Sequence, residues 1–169
     1  MKVAGALTDA KGDRSKSAGQ QLNPGVNVHV KEICPNGIIV SGTKTMIAHA
    51  AACQEIFVSP GTAYKEADKD YAVAFVVPRD IDGLTIVQTD ASEGRQGWDD
   101  MKYADQSSYL IFEDCFIPNE RVFLCGEYDH AGDVINRFVG NYRACIGSCV
   151  AGQGDIMIGA AMLMARANG

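Results

Sequence analysis

The 169-residue sequence has no surplus of positive charge: 15 Lys and Arg stand against 21 Asp and Glu, a formal net charge of −6. No basic cluster breaks that balance, which argues against a broad nucleic-acid-binding surface. There is no low-complexity segment, and 47% hydrophobic with 21% charged residues is a globular composition. No unbroken apolar run approaches the roughly 20 residues that cross a bilayer, so no membrane partner is expected. Near the N-terminus Lys11, Asp13, Arg14 and Lys16 fall where the apolar core of a signal peptide would sit. The six cysteines, at 34, 53, 115, 125, 145 and 149, lack the spacing of a disulfide framework. They read as reduced thiols or metal ligands, and a cytoplasmic location is the expectation.

What the sequence does contain is concentrated in Arg137–Gly154, RFVGNYRACIGSCVAGQG. Tyr142, Cys145 and Cys149 recur at i, i+3 and i+7, which on a continuous helix stacks them along one face. Glycines at 140, 147, 152 and 154 would each cost an isolated helix about 1 kcal/mol relative to alanine. They are tolerable where a helix or a cofactor presses close to the backbone, so this helix is expected to need a partner.

The earlier residues read as strands and turns. Val3–Leu7 is strand-like and runs into Thr8-Asp9-Ala10-Lys11-Gly12-Asp13-Arg14-Ser15, a polar loop with hydroxyls, cations and backbone N–H groups suited to an anion, or simply to a solvated turn. Val26–Glu32 alternates with period two, Cys34-Pro-Asn-Gly37 supplies turn chemistry, and Ile38–Ser41 resumes as strand, together a hairpin. His29 falls on a polar face and is given no role. Gly42–Ala52 is ambiguous between helix and strand. Ile56–Ser59 is a strand ended by Pro60-Gly61, and Tyr71–Pro78 is apolar enough to be central. Leu84–Gln88 is another strand, 91–106 is a polar loop around Trp98, and Ser108–Ile117 is a kinked strand. From Tyr128 the period becomes helical, with Asp133 and Asp155 at plausible helix starts. Strands first and helices afterwards imply an α+β fold or separate domains, not a βαβ sheet. Neither end resembles the designed end of a large enzyme, and a fragment or one part of a split protein is the expectation.

Three segments in order resemble acyl-CoA dehydrogenase-like flavoproteins. LTDAKGDR at 7–14 is similar to the flavin-contacting loop that opens their middle β-domain. VSGTKTMIA at 40–48 is similar to their second flavin-contacting strand. FEDCFIPNER at 112–121 is similar to the strand and turn that close that domain. Within the superfamily the likeness is to the 4-hydroxybutyryl-CoA dehydratase / 4-hydroxyphenylacetate 3-hydroxylase family, carried by GDR at 12–14, EADKDYAV at 66–73, FIPNERVFLCGEYD at 116–129 and CVAGQGD with IGAA in 149–161. The resemblance implies a middle β-barrel domain over 1–127 and the start of a helical C-terminal domain over 128–169. It places FAD near Thr8, Asp9, Lys11, Asp13 and Arg14, with Lys44, Met46 and Ala48 along its ring. The family's dehydratases also hold a [4Fe–4S] cluster and act on a CoA thioester by one-electron flavin chemistry with the cluster as Lewis acid. Their cluster cysteine falls on Cys149 and their histidine ligand on Tyr142. A tyrosine proposed to act in catalysis falls on Ile146. The flavin-strand histidine and threonine fall on Met46 and Ala48. A phenol suits a thiolate-held cluster poorly, so no cluster is expected in this chain. Cys145, one turn before Cys149, is either a replacement thiolate or a small residue where the helix needs one.

Three readings follow. The first is a piece of an FAD-dependent dehydratase/isomerase-like enzyme, diverged at the cluster site and incomplete for turnover alone. The second is a flavin-dependent hydroxylase relative acting on an aromatic substrate. The third is a non-catalytic remnant or oligomerising module, forming a homo-oligomer or associating with missing domains. No catalytic residue is assigned.

Overall fold

The computed structural model describes residues 1–10, 12–88 and 107–169. Lys11 and the loop expected around Trp98 lie outside the described residues. The alternating segments form strands β1 (Val3–Ala6), β2 (His29–Cys34), β3 (Gly37–Ala48), β4 (Glu55–Val58), β5 (Val73–Pro78), β6 (Leu84–Gln88), β7 (Ser107–Pro118) and β8 (Val122–Cys125), followed by helix α1 (Tyr128–Asn168). The expected α+β order holds.

The strands make two four-stranded sheets, ordered β1-β4-β5-β8 and β2-β3-β7-β6. β1 runs parallel to β4, and the other pairings are antiparallel. The hairpin expected around Cys34–Gly37 is the β2–β3 turn, where Cys34 pairs with Gly37. The run read as central becomes β5, flanked by β4 and β8, and Val73, Ala74, Phe75 and Val77 on it are buried. One core draws on both sheets, with Ile56, Val58, Phe75 and Val77 from the first and Val40, Leu110, Phe112 and Ile117 from the second. Phe75 and Phe112 meet edge to face across it, with ring centroids 5.7 Å apart at 89°, the geometry that their quadrupoles favour. The barrel expectation is not met: no strand ladder joins the two sheets among the described residues, which leaves β1, β8, β2 and β6 as edges. Only isolated bridges, such as Asp9 with Lys44, reach beyond them.

Two bulges interrupt β3 and β7. Between Val40 and Gly42 the register slips on the β7 side, where Asp114 takes φ +50. The Asp114 N–H donates to Ser41 Oγ at 2.9 Å, while the Ser41 hydroxyl and Lys31 Nζ donate to Asp114 Oδ1 at 2.8 and 2.5 Å. This is the kink read in the sequence. Between Lys44 and Ile47 it slips on the β3 side, and Met46 takes φ +56. The ambiguous stretch after it resolves as strand to Ala48, then a left-handed His49 and a 3-10 turn Ala50–Ala52.

The chain divides after Gly132 into two compact units. α1 is a single helix of 41 residues, so Asp155 lies inside it rather than at a helix start. A Cβ added at Gly140, Gly147, Gly152 or Gly154 would meet nothing within 4 Å. By length and composition α1 is also apolar enough to cross a membrane, and that stretch is unburied. Gly152, Gln153, Gly154 and Asp155 interrupt its apolar run in the sequence.

Ser108, on β7, is 1% exposed and its hydroxyl has no hydrogen-bond partner among the described residues. Removing an unpaired buried hydroxyl relieves its desolvation cost, so Ser108→Ala should raise the unfolding free energy by about 1 kcal/mol in a denaturant titration. A comparable loss would show that the hydroxyl is bonded after all.

Candidate functional site

The residues expected around a flavin gather at one end of the β unit, held by a buried ion pair. Lys44 projects from β3 with 2% of its surface exposed. Its Nζ donates to Asp9 Oδ1 at 2.5 Å, to the Ser59 carbonyl at 2.8 Å and to the Leu7 carbonyl at 3.2 Å. Every direction in which the ammonium can donate is taken. Lys44 therefore holds the segment after β1 instead of reaching outward to a ligand. Burial pushes its pKa down, and the adjacent Asp9 carboxylate opposes that push. The Tyr64 hydroxyl donates to Asp9 Oδ2 at 3.2 Å. Burial first, and the Asp9 charge second, drive the Tyr64 phenol far above its usual pKa. Gly61 completes the cradle, since a Cβ there would fall 2.0 Å from Asp9 Oδ2.

Thr8 is tied to the same strand, its carbonyl accepting the Thr45 N–H at 2.8 Å. Beyond it, Asp13 folds its carboxylate back on its own turn and accepts the Ser15 N–H at 3.0 Å and the Ser15 hydroxyl at 2.6 Å. The Ser15 bonds hold the Asp13 carboxyl below its usual pKa. The Gln21 side chain zips this turn to the body: Oε1 accepts the Asp13 N–H at 2.9 Å, and Nε2 donates to the carbonyls of Asp13, Lys16 and Ser17 at 2.9, 3.1 and 3.3 Å. Gly12 leaves room for it, since a Cβ there would fall 2.2 Å from Gln21 Oε1 and push that side chain off its bonds. The turn overhangs a cavity of about 780 Å³ whose walls include Thr8, Asp9, Arg14, Lys16, Tyr64 and Asp68. Asp68, 5% exposed, closes its floor by accepting from Ser17 Oγ at 3.0 Å and the Gly19 N–H at 2.8 Å.

Met46 lies two residues along β3 from Lys44. The bulge turns its side chain outward, 66% exposed, and Ala48 is exposed on the same strand end. A left-handed methionine in a strand is uncommon, and bulges of this kind re-aim side chains beside functional sites. Cys149 and Tyr142 lie on α1, both exposed, in the other unit. Among the described residues no three His, Cys, Asp or Glu side chains form a metal-binding group. Thr8, Asp9, Arg14 and Lys44 are thus brought together, Asp13 serves its own turn, and Lys11 lies outside the described residues. Tyr64, Gln21 and Asp68 went unnoticed in the sequence. The only available signals were the Pro60-Gly61 turn before Tyr64 and an acid, Asp68, inside EADKDYAV.

Residues 1–124 match the family described as 4-hydroxyphenylacetate 3-hydroxylase N terminal. The chain belongs to that family. It is 39% identical over 175 residues to the 4-hydroxybutyryl-CoA dehydratase/vinylacetyl-CoA-Δ-isomerase of Clostridium aminobutyricum, which covers 99% of this chain and 36% of that relative. An oxygen-tolerant archaeal 4-hydroxybutyryl-CoA dehydratase structure from N. maritimus superposes with a TM-score of 0.74 at 31% identity, over 80% of this chain and 29% of that one. The oxygenase component of 4-hydroxyphenylacetate 3-monooxygenase, solved in complex with FAD, gives a TM-score of 0.69 at 25% identity, over 79% of this chain and 28% of that one. A glutaryl-coenzyme A dehydrogenase shares the fold alone, with a TM-score of 0.52 at 16% identity. The family member described here spans about a third of the length of these relatives, 36% in the Clostridium case.

Two outcomes follow from the ion pair. Lys44→Met leaves Asp9 and two carbonyls buried without their donor, and should destabilise the β unit by about 3 kcal/mol in chemical denaturation. The raised phenol of Tyr64 gives stability that is complete below its ordinary pKa of 10.0 and declines as pH rises past it, because only the unfolded chain then loses the proton. Unfolding free energy should therefore fall from about pH 10 upward, and Tyr64→Phe should flatten that limb. An unchanged slope in Tyr64→Phe would assign the alkaline loss to other groups.

Proposed function

We propose that the chain provides the flavin-binding β-domain of an FAD-dependent enzyme of the 4-hydroxybutyryl-CoA dehydratase/isomerase type, diverged at the cluster position. The cavity under the 12–17 turn, walled by Thr8, Asp9, Arg14 and Lys16, carries this reading, and the outward bulge at Met46, two residues along β3 from Lys44, supports it. The residues fit the cofactor. Arg14, Lys16 and the Thr8 hydroxyl suit a diphosphate, and the exposed Met46 and Ala48 offer an apolar strip for a flat ring. Bound FAD would supply the redox chemistry. The chain's own part is positional: Lys44 fixes Asp9, Gln21 holds the turn, and Met46 and Ala48 exclude water from one side of the ring.

The cluster does not fit the same way. Cys149 offers one thiolate, but Tyr142 replaces the histidine with a hard, high-pKa phenol. No step is assigned to iron. That departure, with Ile146 at the position of a catalytic tyrosine, supports a second reading as a hydroxylase relative acting on an aromatic substrate. The remaining two thirds of such an enzyme would cover the exposed apolar side chains of α1, among them Ile146, Val150, Ile158 and Met162, either in a homo-oligomer or against further helices.

Titrating the purified chain with FAD should give saturable quenching of flavin fluorescence near one flavin per chain. Absence of binding both alone and after joining to the rest of a full-length protein would sink the proposal. With the full-length protein, deuterium exchange at C2 of butyryl-CoA would favour the dehydratase type, and NADH- and reductase-dependent oxygen uptake the hydroxylase type.

A further inference from the structure

A second cavity of about 510 Å³ adjoins the first and is lined by Leu22, Val26 and Asn23 together with Ala10 and the Gln21-braced turn. Asn27 belongs to the walls of both. Its carboxamide oxygen is shielded from solvent and has no hydrogen-bond partner among the described residues. An amide oxygen left in that state carries an uncompensated desolvation cost, which native folds rarely keep without a use.

The rest of Asn27 is held firmly. Its carbonyl lies 2.9 Å from His29 Nδ1, and its backbone bridges Thr43. Gly42, at φ +122, lets the β3 backbone come so close that a Cβ there would fall 2.3 Å from the Asn27 carbonyl oxygen. His29 in turn packs against Tyr71, with ring centroids 5.6 Å apart. The mount is rigid while the head of the side chain is unsatisfied. A half-turn about its last bond exchanges the two ends of the carboxamide, and that rotation is what would bring the shielded oxygen to a ligand. Ser108 provides the contrast: its hydroxyl is equally orphaned but lines neither cavity.

We propose that Asn27 is a ligand-reading residue whose Oδ1 accepts a hydrogen bond from an N–H or O–H of a flavin nucleotide lying across the two cavities. This rests on the flavin reading above. Arg14 and Lys16 in the polar cavity suit the diphosphate, and the sugar hydroxyls, ring N–H and adenine amine of such a nucleotide are donors of the required type.

The test uses the full chain and its Asn27→Leu, Asn27→Asp and Ser108→Ala variants. Each is titrated with FAD and melted without ligand. Asn27→Leu should weaken FAD binding at least tenfold while leaving the ligand-free melting temperature unchanged or higher, since a purely structural asparagine would lower it. Asn27→Asp keeps an acceptor and should bind more tightly than Asn27→Leu. Ser108→Ala should melt higher with unchanged FAD affinity. If leucine is too large to fold, Asn27→Ala carries the same expectation. Asn27→Leu binding FAD as tightly as wild type would overturn the proposal and leave the flavin reading intact. Wild type binding butyryl-CoA but no FAD, with that binding lost in Asn27→Leu, would keep Asn27 as a reading residue and sink the flavin nucleotide as its ligand. Wild type binding neither would overturn both.

Discussion

The geometry of the site depends on one buried charge. Lys44 belongs to the second sheet, whereas the carbonyls of Leu7 and Ser59 and the carboxylate of Asp9 follow strands of the first. The ammonium therefore stitches the two sheets together at the end where the cavity opens. A buried pair of this kind contributes little net stability over an apolar substitute, because desolvation offsets the Coulombic gain. Its value is in geometry: an ammonium with three acceptors permits one arrangement of the chain after β1, where an apolar contact would permit several.

The bulges of β3 and β7 divide the labour. The one at Asp114 is fully bonded, by Lys31, Ser41 and its own N–H, and it shapes the sheet. The one at Met46 turns a large apolar side chain into the open. A left-handed residue in a strand is the kind of strain that accompanies a binding surface. The same contrast separates Ser108 from Asn27, one orphan sealed in the core and the other at a cavity wall.

The strands were legible because period-two alternation, Pro60-Gly61, Asp82-Gly83 and Pro118-Asn119 mark both their faces and their ends. The parallel β1–β4 pairing was not, since nothing local specifies a partner some 50 positions away. Lys44 was read as a ligand contact because a lysine beside a glycine in a flavin-like motif looks outward, and its burial depends on carbonyls from two other segments. Tyr64, Gln21 and Asn27 carry no motif at all, because their importance comes from the main-chain groups that folding brings to them. The continuity of α1 through Asp155 was hidden by residues that punctuate short helices but are accommodated in a long one.

The parallel pairing of β1 with β4 has a kinetic side. β2 and β3 meet across a tight turn, but β1 can dock only after β4 has been placed, and Lys44 finds Asp9 only after that docking. Contacts so distant in sequence close late, once local hairpins have reduced the entropy of the intervening loop. The 12–17 turn is then fixed only after β4 is in place, and a newly made chain has its β2–β3 hairpin before this end of the unit is set.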